Sequence, residues 1–181
     1  MRRGDVIIEP CQMYRVKKVE KKLIIKDYTR KYQEEVVELI LNIQQKEYGV
    51  DITKQDQPDL LQIEDFYQRG NGNFWVALSG EQVVGTIALL DIQNSHAALR
   101  KMFVVKEFRG KVHNTASLLL NNLFEHGKEK AITDIFLGTT PQFLAAHRFY
   151  EKNGFQEINP VLLPESFPIL EVDKKFYRFA F

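Results

Sequence analysis

Cysteine is almost missing from this chain of 181 residues: Cys11 stands alone, which excludes an intrachain disulfide framework and suits a reducing compartment. No group of cysteines and histidines has the spacing of metal ligands. Long apolar runs are missing too. The longest, Val83 to Leu90, is interrupted by Gly85 and Thr86 and is far too short to span a bilayer. The first residues lack a continuous apolar stretch and a small-residue cleavage pattern, which argues against a secretory signal. Neither sign of charge is in excess: 25 Lys and Arg face 24 Asp and Glu, for a net charge of +1. Nothing global therefore draws the chain to nucleic acid or to an anionic membrane. The expectation is a soluble cytoplasmic protein with one domain, long enough to bury a substantial core.

Charge is distributed unevenly along the chain. Residues 1–22 carry seven Lys or Arg against Asp5, Glu9 and Glu20, and Val6–Ile8 and Tyr14–Val16 each have the pattern of a short edge strand. This basic extension is either a partly ordered addition or an arm that touches RNA or a partner. Residues 23–181 form the expected domain. Leu23 to Asp27 reads as a strand. Val36, Leu39, Ile40 and Ile43 predict a helix from about Tyr32 to Lys46, ended by Gly49. From Glu47 to Asp65, six acids face the single Lys54. That acidic lip suits a cationic amine, and equally a solvated face. After Pro58, Leu60, Leu61, Ile63 and Phe66 have helical spacing. Gly70–Gly72 turns the chain into three strands, Asn73–Leu78, Val83–Ile92 and one ending at Val105, joined tightly as an antiparallel meander. His96, alone near a turn, reads as a surface residue.

The densest pattern runs from Leu99 to Leu120. An apolar, β-branched run breaks at Arg109-Gly110-Lys111, and Ala116, Leu119, Leu120, Leu123, Phe124 and Gly127 then mark one face of a helix. The unpaired amides and partial positive charge of that helix N-terminus suit a phosphate or pyrophosphate. Arg100, Lys101, Lys106, Arg109 and Lys111, opposed only by Glu107, add to the attraction. An ordinary strand-to-helix joint with a solvated basic loop would look the same, so the residues alone leave both readings open. Beyond it, Ile132–Leu137 reads as a strand. Pro141 is placed to open a helix whose inner face is Phe143, Ala146, Phe149 and Tyr150 and which stops at Asn153-Gly154. Phe155–Ile158 and Asp173–Phe181 read as strands, with an extended proline-containing loop from Asn159 to Pro168 between them.

Two of these stretches carry a resemblance. Met102-Phe103-Val104-Val105-Lys106-Glu107-Phe108-Arg109-Gly110-Lys111 resembles the strand-and-loop signature of GNAT-family N-acetyltransferases. Ala146-His147-Arg148-Phe149-Tyr150-Glu151-Lys152-Asn153-Gly154-Phe155 resembles the later Ala-x-x-Phe-Tyr-x-x-x-Gly-Phe signature of the same family. The resemblance covers roughly residues 23–181. It implies an α/β (α+β) fold: a mixed, mostly antiparallel sheet of about six to seven strands flanked by about four helices. It also implies acetyl-CoA as co-substrate, with no metal, in a V-shaped split between the fourth and fifth strands.

Carried onto this chain, the resemblance has Met102, Phe103 and Val104 offer backbone groups to the pantetheine arm and thioester. Arg109, Gly110, Lys111, Val112, His113, Asn114 and Thr115 would surround the pyrophosphate. Phe143 would lie along the pantetheine and Lys152 near the phosphates or adenine. Tyr150 would protonate the departing thiolate, a general-acid role usually worth about 10²–10⁴ in rate.

Three departures from the family pattern stand out. Val112 and Asn114 occupy the positions where small residues are usual in the phosphate loop, and valine disfavours positive φ where asparagine tolerates it. Thr115 and Ser117 are candidates for compensating hydroxyl donors. Phe143 stands where many members have Asn. The strand before Gly138-Thr139-Thr140 ends without a carboxylate, so the general base stays open among water, Asp91, Glu47 and other acids. The reading is an N-acetyltransferase acting on a primary amine, a small molecule ahead of a protein amine, with a homodimer left open. A CoA-binding regulatory module without turnover and a pure interaction domain are the alternatives.

Overall fold

The sequence periods translate almost directly into elements. A computed structural model describes residues 22–181, and the basic extension with its two expected edge strands lies, apart from Lys22, outside the described residues. β1 (Leu23–Asp27), β2 (Asn73–Ser79), β3 (Gln82–Asp91), β4 (His96–Val104), β5 (Asp134–Thr139), β6 (Gln156–Ile158) and β7 (Lys175–Ala180) form one sheet in the order β1-β2-β3-β4-β5-β7-β6. Among these described strands only β4 and β5 run parallel. Among the described residues four α-helices flank the sheet: α1 (Gln33–Leu41), α2 (Ile63–Tyr67), α3 (Thr115–Glu129) and α4 (Leu144–Lys152). The expected mixed, mostly antiparallel sheet with four helices is the fold observed.

Both faces of the central strands are covered, so β2 and β3 are buried almost continuously rather than on alternate residues. Trp75 and Ala77 of β2 point to the side where Leu119, Leu120 and Leu123 of α3 pack. Phe74, Val76 and Leu78 point the other way, to Val36 and Ile40 of α1 and Ile63 and Tyr67 of α2. Among the described residues, no helix is long and apolar enough to cross a membrane.

Three local expectations are corrected. The first helix does not stay α-helical to Lys46: after Leu41 it widens into a π turn, Asn42–Glu47. The extra residue per turn brings Gln44 inward beside Ile43. The segment after Pro58 is a 3-10 turn (Pro58–Leu61) followed by α2, with Gln62 out of helical conformation between them. That break shifts the phase, leaving Leu61 and Phe66 exposed while Tyr67 takes the inner place. Pro141 lies in a turn before α4, whose N-cap is Phe143.

The parallel pair is short. β4 and β5 are in register only at His96–Asp134, Ala97–Ile135 and Ala98–Phe136, and they splay beyond. The closed end is pinned by Asp134, whose Oδ1 accepts from Arg178 Nε (2.7 Å) and Nη2 (2.6 Å) of β7, while His96 of β4 approaches Oδ2 to 3.6 Å. At the open end β4 is bulged. Ala88 pairs with Arg100 and Thr86 with Phe103, so Lys101 and Met102 both oppose Ile87. Lys101 takes φ of 50°, a left-handed conformation that costs a non-glycine residue about 1–2 kcal/mol. The Thr86 hydroxyl donates to its carbonyl at 2.7 Å and holds the bulge.

Candidate active site in the β4–β5 split

The split opens into two cavities that meet. One, of about 410 Å³, lies between the bulge of β4, the end of β5, the 44–59 segment and the turn before β7. The other, of about 250 Å³, runs under Tyr48 and Val104 to Arg109 and Gly110. They share Met102, Phe103, Phe143, Ala146 and Tyr150. Beyond Ala98 the β4 edge has lost its neighbour, so its backbone polar groups face this space.

Tyr150 stands at the junction on α4, packed against Phe149, Phe155 and Tyr177. Among the described residues its hydroxyl has no hydrogen-bond partner. Burial pushes the phenol well above the usual tyrosine range, so it stays protonated at neutral pH. Phe143 packs edge-on against Tyr48 (4.6 Å between centroids) and Phe103 (6.3 Å), forming an aromatic wall.

Seven of the expected residues come together on the smaller cavity: Met102, Phe103, Val104, Arg109, Gly110, Phe143 and Tyr150. Lys111 to Thr115 lie in the stretch between two lining residues, Gly110 and Ala116. Gly110 (φ 82°) and Asn114 (φ 54°) take the left-handed conformations, and Val112, which is 85% exposed, is not asked to. The loop thus avoids the conflict foreseen at valine by using the asparagine, which is the N-cap of α3 and whose backbone carbonyl accepts from the Leu118 amide. The amides of Thr115, Ala116 and Ser117 open the helix without intrahelical acceptors. The Thr115 hydroxyl is committed elsewhere: it donates to the Phe108 carbonyl at 2.8 Å. His113 packs its ring on Phe108, and Lys111 is exposed. The Arg109 guanidinium donates to the Val104 carbonyl (2.7 Å) and pairs with Glu47 (2.8 Å), tying the end of β4 to the π turn. Lys152, in the last turn of α4, is exposed and lines neither cavity.

The larger cavity is acidic. Of the acidic lip, Asp51, Asp56 and Asp59 line it, joined by Glu171 and Asp173 against Arg100 and Lys101. Lys101 is nearly fully buried: its Nζ meets Asp59 Oδ2 at 3.1 Å and Gln57 Oε1 at 2.7 Å, and Tyr67 donates to the same Asp59 oxygen at 2.5 Å. Burial pulls the Lys101 ammonium below the usual lysine range against the raising effect of Asp59. Gln57 and Gln44 pair through their amides behind it. The Thr140 hydroxyl is buried on this cavity without a partner among the described residues. Neither Asp91 nor Glu47 lines it. Asp91 instead accepts from the amides of Asn71 and Gln93.

Residues 37–155 match the sequence profile of the acetyltransferase (GNAT) family. The chain belongs to that family. A GNAT-family acetyltransferase from Staphylococcus aureus Mu50 superposes with a TM-score of 0.85 at 42% identity, covering 88% of this chain and 99% of that one. The N-acetylaspartate synthetase of Danio rerio is 35% identical over 102 residues, 55% of this chain and 36% of that protein. This GNAT chain thus spans little more than a third of the length of that curated relative. At 16% identity and a TM-score of 0.69, a PaiA N-acetyltransferase from Thermoplasma acidophilum, solved with coenzyme A, shares the fold over 88% of this chain and 99% of that one.

The sequence reading missed the Lys101–Asp59 pair, the Thr140 hydroxyl and Asp173. The available hint for Asp173 was Gly138, an isolated glycine in the apolar run of β5, which signals a close approach by another group.

Proposed function

We propose that this GNAT chain transfers the acetyl group of acetyl-CoA to the primary amine of a small molecule. The observation that carries this is the junction: two cavities, lined largely by different elements, share Tyr150 and the bulged edge of β4. The smaller, largely apolar cavity suits a pantetheine arm. It ends at Gly110 and the start of α3, where open amides and Lys111 suit a diphosphate. The larger one, with its acidic wall, suits an ammonium on a modest organic body. The N-acetylaspartate synthetase relative, whose name denotes an acetylated amino acid, supports a small-molecule acceptor.

In this reading the exposed edge of β4 hydrogen-bonds the thioester and stabilises the negative charge that builds on its carbonyl oxygen as the amine attacks. Such pre-oriented donors act without reorganising. Tyr150, held neutral by burial and free of other partners among the described residues, donates its proton to the departing sulfur. The two arms keep donor and acceptor apart until their reacting atoms meet beside the phenol.

Two measurements test this. Acetyl-CoA should raise the melting temperature, and thiol release should appear with members of a panel of primary amines that includes amino acids. Tyr150→Phe, which loses no hydrogen bond among the described residues, should keep the thermal shift and lower kcat by about 10²–10⁴. Unchanged turnover removes the general-acid role. Binding without thiol release from any amine replaces the enzyme with a CoA-binding module.

A further inference from the structure

Within the transfer reaction proposed above, on which this assignment rests, the proton of the incoming ammonium still needs an acceptor. Glu47 is paired with Arg109, and Asp91 is held by two amides away from both cavities. Asp173 is differently placed. It lines the larger cavity from the turn that precedes β7. Its carboxylate lies against Gly138 of β5 so closely that a Cβ there would come within 2.5 Å of Oδ2. Gly138 is two residues beyond Phe136, the last β5 residue paired with β4, so the carboxylate sits in the open jaw of the split. Its one hydrogen bond is from the Leu170 amide at 3.2 Å, and among the described residues it has no ion-pair partner.

We infer that Asp173 is the general base of the transfer, taking a proton from the ammonium of the acceptor. The carboxylate accepts one N–H proton and later returns it to water. The amine lone pair then forms the C–N bond as the C–S bond breaks. The second N–H proton leaves to water as the amide forms, and water returns one to the Tyr150 phenolate in place of the proton given to sulfur. Ammonium and thioester thus become amide, thiol and one released proton.

The surroundings favour the role. Burial, the largest influence, raises the Asp173 carboxyl above its ordinary value, towards the pH at which it must work, against the lowering by the Leu170 amide and by Arg100, Lys101 and Lys174. Tyr150 reaches the same cavity from α4, and Glu171 from the same turn as Asp173. Across the cavity stand Asp51, Asp56 and Asp59, the last neutralised by Lys101.

The test compares acceptors. Asp173→Asn keeps an oxygen for the Leu170 amide, so the turn should survive and the thermal shift with acetyl-CoA should match wild type. For an alkyl amine that is protonated at pH 7, kcat/KM should fall by about 10²–10⁴. For an O-alkylhydroxylamine, already neutral at that pH, the loss should stay under about tenfold, because no proton needs removing before attack. In the variant the acid limb of the alkyl-amine kcat/KM profile should no longer follow the Asp173 carboxyl but the free-amine fraction, rising with pH up to the amine's own pKa. Gly138→Ala, which pushes the carboxylate off its seat, should reproduce the pattern and serves if Asp173→Asn does not fold. Equal losses on both acceptors, or wild-type rates in Asp173→Asn, would overturn the assignment. Absence of thiol release by the wild-type protein would overturn the transfer reaction itself, and the base with it.

Discussion

Arg109 and Lys111 are neighbours in sequence and alike in charge, yet the fold gives them different work. Arg109 is spent on the Val104 carbonyl and on Glu47, which fixes the exit of β4 against the π turn. Arg109→Ala should therefore cost about 1–2 kcal/mol of stability, allowing for the partial exposure of the pair, and weaken CoA and phosphate-free analogues alike. Lys111 is exposed. Lys111→Ala should leave the melting temperature alone and weaken CoA more than its phosphate-free analogues, by roughly 10-fold or more, with the gap closing at high salt. Calorimetric titration at two ionic strengths reads both. The motif announced this loop but could not divide its labour, because Glu47 is 62 residues away from Arg109 in the chain. Asp173 was hidden for the same reason. In Glu171-Val172-Asp173-Lys174-Lys175 it is one charge among several, and only its seat on Gly138 sets it apart.

The elements were more legible than their joints. Apolar periodicity located β1 to the residue and found the inner faces of α1 and α3, because burial repeats along an element; in α4 it found Tyr150 but not the buried His147. The π turn, the phase break at Gln62 and the bulge at Lys101 were not legible, since each is set by partners from another part of the chain. One buried cluster links these irregularities: Lys101 at the bulge, Asp59 in the 3-10 turn, Tyr67 in α2 and Gln57 backed by Gln44 of the π turn. Removing one charge from such a pair strands the other in a dry site, which typically costs about 3–5 kcal/mol. Asp59→Asn should destabilise the protein by that order, and Lys101→Met by a similar amount. The double variant should recover much of the loss, because neither charge is then left unpaired. Urea denaturation of the four proteins gives the coupling directly, and additive losses would mean that the two charges contribute independently and do not offset each other.

At the scale of the whole molecule, the order of strands along the chain does not reveal that β7 enters between β5 and β6, because that insertion depends on pairings formed at long range. The insertion matters for the site. It brings Arg178 to Asp134 at the closed end of the split, while the turn before β7 brings Asp173 to the open end. The two carboxyls are displaced in opposite directions. Burial would raise Asp134, but hydrogen bonds from Thr133 and Arg178, with the nearby charges of Arg178 and His96, outweigh it and hold the carboxyl below its ordinary value of 3.8. A depressed acid contributes stability that is fully present above its unfolded pKa and is lost as pH falls through the lower folded one. The closed end should therefore loosen only below about pH 4. Asp173, raised by burial, works the other way: the folded protein binds its proton more readily than the unfolded chain, so ionising it as pH rises past 3.8 weakens the fold. Asp134→Asn should lower stability at pH 7 by about 1–2 kcal/mol, discounted for the half-exposed Arg178, and flatten the melting-temperature profile below pH 4. Asp173→Asn should instead hold or raise the melting temperature at pH 7 while turnover falls. Melting curves from pH 3 to 8 on the two variants separate a carboxyl that holds the strands together from one that the fold keeps, at a cost, for its chemistry.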